Sequence, residues 1–136
     1  MLFRSHLALL SILVPSYAEG ITFFVEILGF DLLEDTDLGG GKRWVRVGPT
    51  GAQTAFLLAE AKGEQRDFVG KQGGGRVWLF LETDNFARDH AAMLSKGVLF
   101  EEAPRHEPYG TVAVFQDPFG NRWDLIEFHK SDTRQR

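Results

Sequence analysis

The chain repeats itself, and that limits its fold more than any other feature. Residues 9–48 laid over residues 77–116 agree in character at a constant offset of 68, half of the 136 residues. A repeat of this kind means two copies of one supersecondary unit. Leu9 to Val14 falls on Val77 to Glu82, two runs of strand character. Ser16 falls on Asp84, both N-cap types, and Ser16 with Glu19 forms a capping box in which each side chain takes the other's orphan amide. Apolar residues then recur at helical spacing: Ile21, Phe24, Val25 and Leu28 in one copy, Phe86, Met93 and Leu94 in the other. Gly29 and Gly97 coincide, each where a helix should end in the left-handed conformation. Short strands follow at Phe30 to Glu34 and Val98 to Glu102, and then Arg43 to Val47 overlays Thr111 to Phe115. Turns at Gly48-Pro49-Thr50-Gly51 and Asp117-Pro118-Phe119-Gly120-Asn121 lead to last strands at Thr54 to Leu58 and Arg122 to Phe128.

Each half therefore predicts β-α-β-β-β, an α+β fold in one domain over residues 1–136. Module one spans 7–60, a polar linker 61–75 ends in three glycines, module two spans 76–128, and 129–136 is a tail. One helix can cover only one face of a four-stranded sheet. Two copies curling face to face would bury the other faces around an open, barrel-like cup. The repeat also bears on the N-terminus. Arg4 and His6 before the apolar run Leu7 to Val14, with Ser16 and Ala18 after it, imitate a secretory leader. The matching run at Val77 to Glu82 argues that this run is a buried first strand.

Composition narrows the function. A net charge of −4 with no Lys/Arg run argues against a nucleic-acid surface, and no apolar run reaches membrane-spanning length. With no cysteine, disulfides, thiolate metal sites and cysteine nucleophiles are excluded, and a reducing, cytoplasmic setting is expected. Unpaired strand edges on two open modules favour a homodimer.

Three stretches carry a family resemblance: Tyr17-Ala18-Glu19-Gly20-Ile21-Thr22-Phe23-Phe24, Leu28-Gly29-Phe30, and Asp117-Pro118-Phe119-Gly120-Asn121-Arg122-Trp123-Asp124-Leu125. Together with the paired modules, they resemble the vicinal oxygen chelate superfamily, the glyoxalase, bleomycin-resistance and extradiol-dioxygenase group, over residues 7–128. Phe24 stands where the family's motif has Tyr. The resemblance implies a divalent ion (Zn, Ni, Mn or Fe) held by His, Gln or Glu on the first and last strands of each module. Aligned on the helix starts, those positions fall on Leu9, Ala55 (or Phe56), Val77 and Asp124. Three of the four cannot ligate, so no metal cofactor is expected unless the register is displaced.

The remaining polar residues give a candidate ligand site. Trp44 and Arg46 alternate with Val45 and Val47, which places them on the cup side. Arg46 either recognises an anionic or planar ligand or closes an ion pair with Glu34 or Asp124. Ser11 shares the strand face of Leu9; the resemblance implies substrate contact there, and a buried serine bonded to backbone is the plainer reading. His106 and Tyr109 lie in the stretch Arg105 to Gly110, read as a loop over the cup. His6 and His129 read as terminal, His90 as a helix-surface or edge-of-core residue, and Glu60 and Glu82 as solvated strand ends. Gly39-Gly40-Gly41 reads as a hairpin tip. Three functions remain open. One is a metal-independent, glyoxalase-like lyase or isomerase acting on a small oxygen-rich molecule, with Arg46 as oxyanion donor and Asp124 as base. The second is a non-catalytic protein of the bleomycin-resistance type that binds an aromatic molecule. The third is a metal-dependent lyase or dioxygenase with displaced ligands.

Overall fold

The computed structural model describes residues 4–130, so most of the tail 129–136 lies outside the described residues. The first repeat runs β1 (Leu9–Val14), α1 (Tyr17–Ile21) continued by a π-helical segment Thr22–Ile27, β2 (Asp31–Gly39), β3 (Lys42–Gly48) and β4 (Ala55–Glu60). Its sheet has the order β1-β4-β3-β2, with β1 parallel to β4 and the other pairs antiparallel. The second repeat runs β5 (Val77–Glu82), α2 (Phe86–Ser95), β6 (Leu99–Phe100), β7 (Arg105–Glu107), β8 (Gly110–Gln116) and β9 (Arg122–Phe128). Its sheet has the order β5-β9-β8-β6, again with a parallel outer pair, and β7 also pairs with β8. The backbone divides into two compact units between Val69 and Gly70, in the stretch read as a linker. That stretch is not wholly irregular, since Gly63–Phe68 forms a 3-10 turn. The run that imitates a leader is strand β1, in register with β4 from Leu9↔Ala55 to Val14↔Glu60.

The second strand of each repeat is longer than its sequence predicts. β2 continues to Gly39, and β6 with β7 forms one interrupted edge strand along β8. Arg105–Glu107 is therefore strand, and only Pro108 and Tyr109 form the turn into β8. An edge strand needs no bonds on its outer side, so it runs on past acidic residues and resumes after Pro104. In the interruption the Glu102 carboxylate accepts the Val114 N–H at 2.9 Å, replacing a ladder partner.

The helix starts also differ in detail. Ser16 Oγ accepts the Glu19 N–H at 3.1 Å, but it donates its own hydroxyl to Glu19 Oε2, so the capping box is one-sided. In the second repeat the N-cap is Asn85, not Asp84, which pairs with Arg88 instead. Two strand-end glutamates complete the caps: Glu60 Oε2 accepts the Tyr17 N–H at 3.2 Å, and Glu127 Oε1 accepts the Phe86 N–H at 2.6 Å. Glu60 is thus part of the fold and not a solvated end. The π-helical segment, closed by Leu28 N–H to the Phe23 carbonyl at 2.9 Å, turns both Phe23 and Phe24 inward. Of these two, the 3.6-residue spacing that picks out Ile21, Phe24, Val25 and Leu28 includes only Phe24. Gly29 and Gly97 have φ of 77° and 84°, as the helix-end reading requires.

The Asp117 turn is a structural knot. Buried Asp117 accepts the amides of Phe119, Gly120 and Asn121 on one oxygen, and Asn121 Nδ2 and Trp123 Nε1 on the other. Removing it orphans several buried donors at once. Asp117→Ala is expected to destabilise the chain by roughly 3 kcal/mol or more, and Asp117→Asn by less, because it keeps one acceptor oxygen. Chemical denaturation of both variants checks this order.

Candidate functional site

Each helix covers one face of its sheet, and register assigns every candidate to a face. In the first unit Phe24 stacks on Phe56 at 5.7 Å, so Phe56, Leu58, Val45 and Val47 lie under the helix. Alternation turns the other residues to the second face, where they form rows across the strands. Glu34, Arg46, Leu57 and Ser11 make one row; Leu9 and Ala55 belong to the next; Trp44 and Thr36 flank it on the other side. Ser11, Trp44 and Arg46 thus share a face, as their alternation predicts, although Ser11 is exposed and not a buried serine. Arg46 Nε donates to Glu34 Oε1 at 3.0 Å, with both side chains about one-third exposed. The ion pair with Glu34 is therefore formed. An exposed pair of this kind contributes about 0–1 kcal/mol, so it can yield to a ligand. The terminal guanidinium nitrogens have no hydrogen bond among the described residues.

In the second unit, His90 stacks on Phe86 and meets Phe100 edge-on, which makes it an edge-of-core residue. Phe115 stacks on Trp123 on the same, helix-covered face. Asp124 lies on the opposite face, in a row with Val114 and Phe80. His106 is opposite Thr111, three residues from Val114, so His106 and Asp124 are on different faces of the sheet. His106 Nδ1 is 3.4 Å from the Thr111 hydroxyl, and Tyr109 packs near Phe128 at the hairpin tip. Both belong to this hairpin and not to a loop, and Asp124 is not joined to His106.

Asp124 has its own electrostatic setting. Its Oδ1 is buried without a hydrogen-bond partner. Burial pushes its carboxyl above the ordinary value of 3.8, partly opposed by the positive charge of Arg105, reinforced by Glu102, and opposed again by Arg122. Arg105 is held by Glu102 and Glu107, and Arg122 by Glu101, so neither cation is spent on Asp124. The arrangement suits a group that exchanges a proton.

The family's metal positions fail a donor test. Leu9 and Ala55 face each other across β1 and β4 with no donor atom. A register shift between Val77 and Leu79 sets Val77 opposite Arg122 and leaves Asp124 opposite Phe80, so either choice on β5 is apolar. A single carboxylate does not make a divalent site. Among the described residues, no three His, Asp or Glu side chains form a group that could hold a metal ion.

Sequence reading missed an opening at one end of the first sheet. A pocket of about 290 Å³ is lined by Tyr17, Lys42, Arg43, Trp44, Leu57, Glu60 and neighbouring residues. Only Trp44 among these was a candidate; Lys42-Arg43 and Lys62 were visible but lie too far apart in sequence to read as one patch.

The raised Asp124 carboxyl has a signed consequence. It is more easily protonated folded than unfolded, so its contribution to stability is full below the ordinary carboxylate range and is lost as pH rises through the folded value. Asp35, Asp89 and Glu101, lowered mainly by Arg43, Arg88 and Arg122 respectively, act in the opposite sense and lose their contribution as pH falls. Asp124→Asn removes only the first term. The stability of Asp124→Asn relative to the parent is expected to grow between pH 4 and pH 8 in denaturation experiments. A pH-independent difference would contradict it.

Comparison with known proteins agrees with this architecture. The sequence profile of the Glyoxalase/Bleomycin resistance protein/Dioxygenase superfamily matches residues 5–125. An uncharacterized protein of Shewanella frigidimarina is 49% identical over 123 residues, covering 88% of this chain and 91% of that one. The crystal structure of TnmS3, an antibiotic binding protein from Streptomyces sp. CB03234, superposes with a TM-score of 0.77 at 32% identity, covering 95% of this chain and all of that one. A glyoxalase/bleomycin resistance protein from the same Streptomyces superposes with a TM-score of 0.69 at 34% identity, covering 89% of this chain and 99% of that one. With the repeated β-α-β-β-β units and the profile match across nearly the whole sequence, the chain belongs to the Glyoxalase/Bleomycin resistance protein/Dioxygenase superfamily.

Proposed function

We propose that this chain is a small-molecule-binding protein of the bleomycin-resistance type, which holds a planar aromatic or oxygen-rich ligand without transforming it. One observation carries the reading. On the second face of the first sheet, the metal positions are the apolar pair Leu9 and Ala55, and beside them lie Leu57, Ser11 and an arginine only loosely committed to Glu34. An apolar floor with one orienting cation suits recognition more than Lewis-acid chemistry. The 32% identity to a protein described as antibiotic binding supports the same reading. The ligand-binding set on this face comprises Ser11, Trp44 and Arg46. The protein works without a metal cofactor, in the cytoplasm, and as a homodimer. β1 and β5 are each a sheet's outer strand, paired on one side only among the described residues, and these edges favour association. No helix among the described residues is long and apolar enough to cross a membrane.

A second reading rests on Asp124. A carboxyl raised by burial, with an unsatisfied oxygen, could abstract a proton from a bound oxygen-rich substrate, giving a metal-independent glyoxalase-type lyase or isomerase.

One experiment separates the two. Polycyclic aromatic antibiotics titrated against the purified protein are expected to bind and to be recovered unchanged by mass spectrometry. Arg46→Ala should weaken binding about 10-fold, equivalent to 1.4 kcal/mol. Conversion of the ligand, abolished in Asp124→Asn, would replace the first reading by the second. Elemental analysis is expected to find well under one equivalent of transition metal; a stoichiometric ion lost with Asp124 would overturn both.

A further inference from the structure

Strands β3 and β4 pair from Val47↔Phe56 to Val45↔Leu58 and then part. Both continue, β3 back to Lys42 and β4 on to Glu60, but no pair joins Trp44 to Ala59 or Arg43 to Glu60. Backbone groups released from a ladder need other partners. Buried Tyr17 supplies one: its phenol oxygen accepts the Arg43 N–H at 3.2 Å, and its own N–H goes to Glu60. Tyr17 therefore acts as a wedge, and the parted strand ends leave the opening of about 290 Å³.

The lining is a built arrangement of charge and ring. Arg43 is locked to Asp35 through two bonds, at 3.0 and 2.6 Å, and its guanidinium sits 5.1 Å from the centre of the Tyr17 ring. Trp44 and Leu57 supply an apolar wall. Lys42 and Lys62 also line the opening, and among the described residues neither forms an ion pair. The only carboxylate in the lining is Glu60, already bonded to the Tyr17 amide. With Arg43 offset by Asp35, two ammonium groups without ion pairs face one carboxylate already bonded to an amide, so this is a locally positive hollow on a chain of net charge −4.

We infer that this opening is a ligand site for a small aromatic acid, a flat ring system of one or two rings bearing a carboxylate. The ring packs against Trp44 and Leu57, and the carboxylate is met by the ammonium groups of Lys42 and Lys62. The volume is at the lower end of small-molecule sites, which sets the ring count. Ammonium groups without acidic partners gain charge-assisted bonds on binding and sacrifice none. The site adjoins the surface of the binding reading above and shares Trp44 and Leu57 with it, but its cations are Lys42 and Lys62 at the Glu60 end of the sheet, not Arg46.

The test uses 1-naphthoate, with 1-naphthylmethanol as its uncharged counterpart, followed by amide chemical shifts and tryptophan fluorescence. Naphthoate is expected to shift the amides of Tyr17, Lys42, Arg43 and Lys62, and to bind at least about 10-fold more tightly than the alcohol. The double variant Lys42→Gln/Lys62→Gln should remove that preference while retaining the parent's melting temperature. Trp44→Phe should abolish the fluorescence response. The same double variant should leave binding of polycyclic antibiotics unchanged, and Arg46→Ala should leave naphthoate binding unchanged, so the two sites fail or stand separately. Equal affinity for acid and alcohol, an unaffected double variant, shifts centred on Arg46 instead, or no binding at millimolar concentration would each overturn the inference.

Discussion

Each repeat has one helix to cover one sheet, and the packing of that helix sets everything else. In the first unit the contact is aromatic: Phe24 packs against both Phe30 at 5.8 Å and Phe56 at 5.7 Å, which also touch each other, and the helix approaches closely because residue 20 is glycine. A Cβ there would lie 2.9 Å from Leu58 Cδ1. The π-helical widening follows from the same demand, since it lets adjacent Phe23 and Phe24 both reach the core. In the second unit a ring series from Phe86 through His90, Phe100 and Phe115 to Trp123 does the equivalent work. With about 2 kcal/mol gained for each large side chain fully buried, these faces dominate the stability of each unit. The second face of each sheet is left to hold polar groups, and there Arg46, Ser11 and Asp124 are found.

The architecture was legible because it is written twice. Strand, cap, helix, glycine and turn recur in order, so an ambiguous run such as Leu9 to Val14 is resolved by its copy. What failed to read was whatever depends on tertiary bonds. Glu60 looks like a solvated strand end, yet it caps a helix distant in sequence, as Glu127 does in the second repeat. The second short strand reads as ending at Glu102, yet it resumes at Arg105 because it is an edge. The N-cap moved from Asp84 to Asn85 because Asp84 has Arg88 within reach, a competition that no single-residue preference reveals.

The candidate site was less legible, and the reason is physical. The residues that most strongly mark the family, Asp117 to Trp123, act on the fold: Asp117 gathers three amides, an Asn and a Trp around one buried carboxylate. A motif that serves a turn identifies an architecture and says little about chemistry. Side-chain alternation correctly placed Ser11, Trp44 and Arg46 on one face. It could not show that His106 and Asp124 fall on opposite faces, because that depends on the true length of β7 and the register of β8. The opening beside Tyr17 depends on two strands ceasing to pair, and unpaired ends have no pattern in sequence.

The two units differ most in how they treat charge on their second faces. In the first, Arg46 and Glu34 meet near solvent, where an ion pair costs little to break and a ligand anion can replace the glutamate. In the second, the nearby cations Arg105 and Arg122 are tied to Glu102, Glu107 and Glu101, while Asp124 keeps one buried oxygen unsatisfied. Burial of a carboxylate in that state is costly, and the cost is lower when the group is protonated. The two arginines beside it are engaged elsewhere, so the charge of Asp124 is offset only from a distance, and burial dominates its setting.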